Sequence, residues 1–375
     1  MPKKLGAIVV SDLHLNHPKL STDRMVNSLI KNISTSYNST ITHLIIPGDV
    51  FDRPVQLDTV AGKGITRFIS FVLEFSCKHD LVLLVLKGTG SHDGEQSDHF
   101  VSMNEGRLVK ADLTYVDKIS VFTDRLGISW LGVPDEATPS AAQTQAEIES
   151  LMKEKGISKV HMGLTHGLYN THNLNGIVDD HAHDTEFYES VVEYIILNGH
   201  IHHPSQHGRL VTIGSHDRNR HGEEEAKGGL RVHIDFKKNT TQLEFRENKE
   251  AALFVTYEIK SEVIKTAYRE VDKFLISHPI VAGGFLRLAY KDTLNINDLV
   301  RLLQDKYHPD IEFSTKKLET VDNSNHLNER VVEFDKIDTT PITKSTVTNL
   351  LDDKLKRLGY EDTSLYLEEF NKLIQ

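Results

Sequence analysis

Six short apolar runs alternate with stretches of helical spacing through the first two thirds of the chain, and this alternation is its strongest constraint. The runs are AIVV at 7–10, HLIIP at 43–47, LVLLVL at 81–86, ISWLGV at 128–133, VHMGL at 160–164 and YIILN at 194–198. They are short, mostly apolar and carry β-branched residues, as expected of central strands covered on both faces. Between them lie residues 23–36, 57–76 and 140–155; in the second, Ile65, Phe68, Ile69, Val72 and Leu73 fall on one helical face. The pattern predicts an α/β fold.

Five of the runs are followed at once by residues that carry chemistry. Asp12 and His14 follow the first, in VVSDLHL, and Asp49 and Asp52 follow the second, in PGDVFDRP. Ser91, His92 and Asp93 follow the third in KGTGSHD, His166 follows VHMGL, and His200 and His202 follow YIILN in NGHIHH. In open α/β sheets the ligand crevice lies at the carboxyl ends of the strands, so these clusters are expected to converge. Singly, each motif is short enough to arise by chance, and a lone His is more often packed or solvated than a ligand. Five in succession carry the inference.

A mixed set of imidazole and carboxylate donors suits Mn, Fe or Zn, whereas Mg or Ca favours oxygen alone. Two cations ~3.5 to 4 Å apart that share a carboxylate need about three or four protein ligands each. Asp12, His14, Asp49, Ser91, His166, His200 and His202 meet that requirement. His92 is left over and is expected to protonate a leaving oxygen, with Asp52 or Asp93 holding its ring.

Composition bounds the remainder. A chain of 375 residues has room for an α/β domain of ~200 to 250 residues and a smaller unit beside it. A net charge of −11 argues against a surface that grips nucleic acid everywhere. It does not exclude DNA, because a metal-centred site gathers carboxylates and lets cations reverse the local sign. The single cysteine, Cys77, rules out disulfides within the chain. No run approaches the ~20 apolar residues of a membrane span, and the N-terminus turns polar too early for a signal peptide. A cytoplasmic protein with no membrane association is expected, so the sequons at Asn32 and Asn38 carry no meaning.

From residue 210 the segments LVTIGS, GGLRVHIDF and TTQLEFREN lack intervening helices and suggest an antiparallel close to a first domain at 1–250. Residues 251–320 follow as a β-α-β-α-β unit of cap size, and the polar stretch 321–343 reads as a linker. In 344–375, Val347, Leu350, Leu351, Leu355 and Leu358 mark one helical face and Tyr366, Leu367, Phe370, Leu373 and Ile374 another. Such tethered helices call for a partner surface, unless they pack back on their own protein. His172, His181 and His183 read as members of a solvated loop, and Glu223, Glu224 and Glu225 as an exposed turn outside the site. Arg53, Arg218 and Arg220 flank the motifs, suited equally to a phosphate backbone or to local carboxylates.

D-x-H, G-D-x-x-D-R, the H-D pair, a lone His and G-H-x-H, in that order, resemble the calcineurin-like metallophosphoesterases over roughly the first 235 residues. Within that superfamily, IGSHDRNRHGEEEAKGGLRVHID is similar to the G-S-x-x-R...E-x-x-x-K-G stretch of SbcD-type DNA repair exonucleases, and the cap and tethered helices resemble theirs. The resemblance implies a β-sandwich core flanked by helices, a smaller α/β cap and a C-terminal helical segment that docks an ATPase. It implies two divalent ions, Mn foremost: one held by Asp12, His14, Asp49 and His202, the other by Asp49, His166, His200 and the residue before His92, with Asp49 as bridge. Family members usually carry Asn in G-N-H-D where this chain has Ser91, a poorer ligand. The implied activity is an Mn-dependent DNA exonuclease and endonuclease, homodimeric and paired with an SbcC-type ATPase, in repair, recombination and replication. Phage recombination systems use such pairs too. Fold and metals alone do not select a substrate, which leaves a small-substrate phosphodiesterase or phosphatase, and a non-catalytic DNA-end-binding partner of an ATPase, as competing readings.

Overall fold

The computed structural model describes residues 2–172, 179–280, 283–291 and 294–318, together with Leu367. Met1–Leu318 form one compact unit. The expected linker at 321–343 and docking segment at 344–375 lie outside the described residues, Leu367 excepted. In chain order the strands are β1 (Lys4–Val9), β2 (His43–Pro47), β3 (Val82–Leu86), β4 (Asp112–Val116), β5 (Ser120–Thr123), β6 (Ser129–Val133), β7 (Val160–His166) and β8 (Val192–Gly199). They continue with β9 (Ser205–His207), β10 (Leu210–Thr212), β11 (Gly228–Asp235), β12 (Thr240–Glu247), β13 (Phe254–Glu258), β14 (Gly284–Tyr290) and β15 (Ile311–Lys317). The helices are α1 (Thr22–Ser36), α2 (Val60–His79), α3 (His99–Glu105), α4 (Ala141–Glu154), α5 (Thr185–Val191), α6 (Ile264–Ser277) and α7 (Ile296–Tyr307).

Strands β1 to β12 build two six-stranded sheets, ordered β12-β11-β1-β2-β3-β4 and β5-β6-β7-β8-β10-β9. Their facing sides share one core, and the period-2 geometry of a strand shows why continuous apolar runs were needed. Leu5, Ala7 and Val9 of β1, Ile45 of β2 and Val82, Leu84 and Leu86 of β3 point inward to meet Trp130, Met162, Leu164, Ile195 and Leu197. The alternate residues Ile8, Leu44, Ile46, Leu83 and Val85 point outward, where Met25, Val26, Leu29 and Ile33 of α1 and Ile65, Phe68, Ile69 and Val72 of α2 cover them. On the second sheet Leu131, Val133 and Ile196 pack outward with Ile148 and Met152 of α4 and Tyr188 of α5. The helices begin where the sequence supplies caps: Ser21, Thr59 and Ser140 accept the N–H of Arg24, Gly62 and Gln143.

β1 to β4 are parallel, as are β6, β7, β8 and β10, so both sheets send their carboxyl ends to one side. β11 returns antiparallel to β1 and β12 antiparallel to β11, the close expected of GGLRVHIDF and TTQLEFREN, whereas β10, from LVTIGS, joins the second sheet parallel to β8. The third sheet, β13-β14-β15, is parallel with α6 and α7 as its crossovers, and Ala267, Val271, Leu286, Leu288, Leu299 and Leu303 form its own core. Phe254 and Phe285 join it to the first sheet's outer core, their rings stacked 4.2 Å apart. No helix among the described residues is long and apolar enough to cross a membrane.

Candidate metal centre

The loops leaving β1 and β2 are laced together by their backbones. Leu13 N and His14 N both donate to Asp49 O, at 2.7 and 3.1 Å, and Leu15 N donates to Val50 O at 2.9 Å. The lacing bends the chain sharply: Asp12, His14, Asp49 and His200 have φ of 50, 45, 49 and 79°. Left-handed backbone is costly for residues with a Cβ and gathers where surrounding structure forces a functional geometry. Four such residues here are donors of the expected set.

On one side of the centre, His14 Nε2 lies 3.0 Å from His202 Nε2. His202 Nδ1 donates to Glu223 Oε1 at 2.7 Å, so its Nε2 presents a lone pair in the neutral ring. Burial above all lowers the pKa of His14 to about 3, which keeps its ring neutral. Two imidazole nitrogens facing each other across 3.0 Å suit a shared cation. The Asp12 carboxylate is fully buried; its Oδ1 accepts His200 N at 2.9 Å, while its Oδ2 has no hydrogen-bond partner. An orphaned carboxylate oxygen in the interior is a ligand atom without its ligand. Asp12, His14 and His202 place donor atoms within 4.8 Å of one another, as do Asp12, Asp49 and His166. The residues therefore fit a metal ion.

Asp49 stands between the two sides. Its Oδ2 is 3.8 Å from His14 Nε2 and its Oδ1 3.3 Å from His166 Nε2. Burial opposes the Asp49 charge, but His166, His14 and His92 outweigh it and hold the carboxyl below its ordinary range. His166 Nδ1 donates to Pro47 O at 2.6 Å, which aims Nε2 at Asp49. Burial disfavours a charged His166 as well, yet Asp49 and then Asp12 raise its pKa to about 10, so in the metal-free chain a proton there balances the buried carboxylates. His200 Nδ1 completes this side, 3.5 Å from Thr89 Oγ1 and 3.7 Å from Asp135 Oδ2.

His92 packs edge-on against His14 at 4.8 Å between centroids. Its Nδ1 donates to the main-chain oxygen of Asp52 at 2.7 Å. Of the two residues expected to hold this ring, Asp52 does so, through its main-chain carbonyl and not its carboxylate. The Asp52 carboxylate faces His14 Nδ1 at 3.6 Å instead. Asp93 is buried and accepts Phe51 N and Gly88 N at 3.0 and 2.8 Å, pinning the loops after β2 and β3; burial, then Asp49, raises its pKa to about 7.

Several residues stand apart from the sequence reading. Ser91 is exposed in the turn after β3, and the hydroxyl among the donors belongs to Thr89. Glu223, read as part of an exposed turn, is 1% exposed and orients His202. Its pKa falls to about 2 because its bond to His202 overcomes burial. Behind it the buried Lys227 reaches Glu223 Oε2 at 3.4 Å and donates to His202 O at 2.9 Å. The E-x-x-x-K spacing was the available signal. His172 and His183 are buried and not solvated: His172 Nδ1 accepts Tyr169 N at 3.0 Å, and His183 packs against Tyr169 and Tyr188. Arg218 donates to Ala252 O and Glu225 O and is a local anchor, whereas the Arg53 and Arg220 side chains are exposed.

No family model matches the chain, and no curated protein matches it. Among solved structures, GAP50, the anchor in the inner membrane complex of Plasmodium, is 12% identical over 66% of this chain and 86% of its own, with a TM-score of 0.42. A glutamine-dependent NAD+ synthetase from Acinetobacter baumannii is 11% identical over 95% of this chain and 73% of its own, with a TM-score of 0.34. A functional reading therefore rests on the chain's own residues: an α/β protein whose buried His and Asp groups can hold a metal ion.

Proposed function

We propose that the chain is an Mn-dependent DNA nuclease, hydrolysing phosphodiesters at a pair of divalent ions. The observation that carries this reading is Asp49, a buried carboxylate with one oxygen turned toward His14 and the other toward His166. Asp12, His14, Asp49 and His202 would hold one ion, and Asp49, His166 and His200 the other. Such a pair, when bound, supplies a Lewis-acid clamp for phosphate oxygens and an activated water. The motif order of the calcineurin-like metallophosphoesterases supports the assignment, and the two-sheet core flanked by helices agrees with the sandwich that resemblance implies.

The chain's own groups have separable tasks. Glu223 fixes the tautomer of His202, and Pro47 O that of His166, so each offers Nε2. His92, its Nδ1–H committed to Asp52 O, has Nε2 left as the atom that would pass a proton to the leaving oxygen. Arg53, which donates Nε to Asn16 O, and Arg220, whose Nε is 3.4 Å from Glu223 Oε1, are exposed and would meet the phosphate backbone with their remaining N–H groups. DNA as substrate is supported by the G-S-H-D-R...E-x-x-x-K-G stretch, and with it comes the expectation of a cytoplasmic homodimer with an SbcC-type ATPase and a cap at 251–320.

End-labelled duplex and hairpin DNA incubated with Mn, beside bis-nitrophenyl phosphate, separates the alternatives. Cleavage of DNA is the expected result. Hydrolysis of the small diester alone would assign small substrates, and cleavage of neither would assign a non-catalytic DNA-end-binding role.

A further inference from the structure

We infer that Thr89, not the residue before His92, supplies the hydroxyl donor on the His166 and His200 side of the centre; the inference rests on the metal-pair reading above. The backbone explains the change of register. After β3, Gly88 passes so near Asp49 that a Cβ on it would collide with the Asp49 backbone and carboxylate. That approach, open only to glycine, lets Thr89 N donate to Asp49 Oδ1 at 2.7 Å and sets its side chain among the donors. Gly90 and Ser91 then form a turn in which Thr89 O accepts His92 N and Asp93 N at 3.0 and 2.9 Å. The two-residue excursion returns His92 to the site while leaving Ser91 exposed.

The distances distinguish a ligand from a hydrogen-bonding hydroxyl. Thr89 Oγ1 lies 3.4 Å from Asp49 Oδ2, 3.5 Å from His166 Nε2 and 3.5 Å from His200 Nδ1. An O–H donor sits ~2.5 to 3.0 Å from its acceptor, and none of the three is that close. Two donors each ~2.1 Å from one ion stand ~3.4 Å apart in tetrahedral geometry and ~3.0 Å apart at right angles. The 3.5 Å separations from His166 Nε2 and His200 Nδ1 are the spacing of donor atoms around a shared cation. Because a neutral hydroxyl is a weaker donor than carboxylate or imidazole, this ion is the more weakly held of the two, and the Asp12, His14 and His202 side fills first.

The test is Mn titration of the full-length protein by calorimetry and by electron paramagnetic resonance, which separates a spin-coupled pair from a single ion. Wild type is expected to bind two ions with unequal affinity. Thr89→Val should leave the tighter site unchanged, weaken the other by about 10-fold or more and abolish the coupled signal. Thr89→Ser should restore both, and Ser91→Ala should match wild type. Melting of the metal-free variants at the wild-type temperature excludes misfolding as the cause. A Thr89→Val protein that binds both ions as wild type does, or a Ser91→Ala protein that loses the weaker one, overturns the inference while leaving the metal pair standing. Wild type that binds fewer than two ions overturns both.

Discussion

Lys227→Met tests the support behind His202. The Lys227 ammonium is fully buried and neutralises Glu223, whose carboxylate is 2% exposed, while Glu225 shares the same cation. Deleting one partner of a buried charge pair costs about 3 to 5 kcal/mol, because the other is left uncompensated. Arg220 Nε, 3.4 Å from Glu223 Oε1, can take up part of that charge, which places the expectation near the lower end, at ~3 kcal/mol. Glu223→Gln in the same background removes the uncompensated charge, so the double variant should recover about 2 kcal/mol of the loss. The assay is urea denaturation of the four metal-free proteins as a double-mutant cycle. A Lys227→Met cost below about 1 kcal/mol, or costs that simply add, would refute the reasoning. Metal affinity reports separately: Glu223→Gln should weaken Mn binding by ~10 to 100-fold by freeing the His202 ring, and Lys227→Met added to it should not restore that loss.

Three further outcomes are expected. Burial lowers the pKa of His216 to about 3, whereas an unfolded His titrates near 6.5, so the unfolded chain binds the extra proton and stability present above that value is lost as pH falls. The loss from this residue at pH 5 is about 2 kcal/mol, and the difference in unfolding free energy between pH 7.5 and 5, measured by urea denaturation, should shrink by that amount in His216→Gln. Gly199→Ala would drive a Cβ into Pro47 O, His166 Nδ1 and Ser11 Oγ, so thermal melting should show a cost of about 1 to 3 kcal/mol together with weaker metal binding. His92→Ala should lower the single-turnover cleavage rate by ~10² to 10⁴-fold while both ions still bind; unchanged cleavage would remove His92 as the acid.

What the residues disclosed follows from how locally each feature is encoded. β1, β2, β3, β7 and β8 are read directly because strands covered on both faces need largely apolar runs, and α2 is found within 57–76 because Ile65, Phe68, Ile69, Val72 and Leu73 repeat on one face. β4 and β5 were missed: DLTYV and SVFT are short, mostly half-buried strands at the margins of their sheets, with no such run. The gathering of Asp12, His14, Asp49, His92, His166, His200 and His202 was legible because parallel strands carry it. The exchange of Ser91 for Thr89 was not, since it depends on a turn that lengthens the path to His92 by two residues. Glu223 was hidden for another reason: three successive glutamates look solvated, and only tertiary packing buries one and leaves its neighbour in water. Asp135, beside His200, lies in a proline-containing loop with no motif to mark it.

Asp49 is the joint of the proposed centre, and one comparison tests it most directly: Mn-dependent cleavage of end-labelled duplex DNA by wild type and Asp49→Asn. Loss of a shared carboxylate withdraws several kcal/mol of charge stabilisation, so cleavage by wild type and a rate lower on the order of 10³-fold for the variant are predicted. Equal cleavage by the two proteins, or a wild type inert with every divalent ion tried, would contradict it.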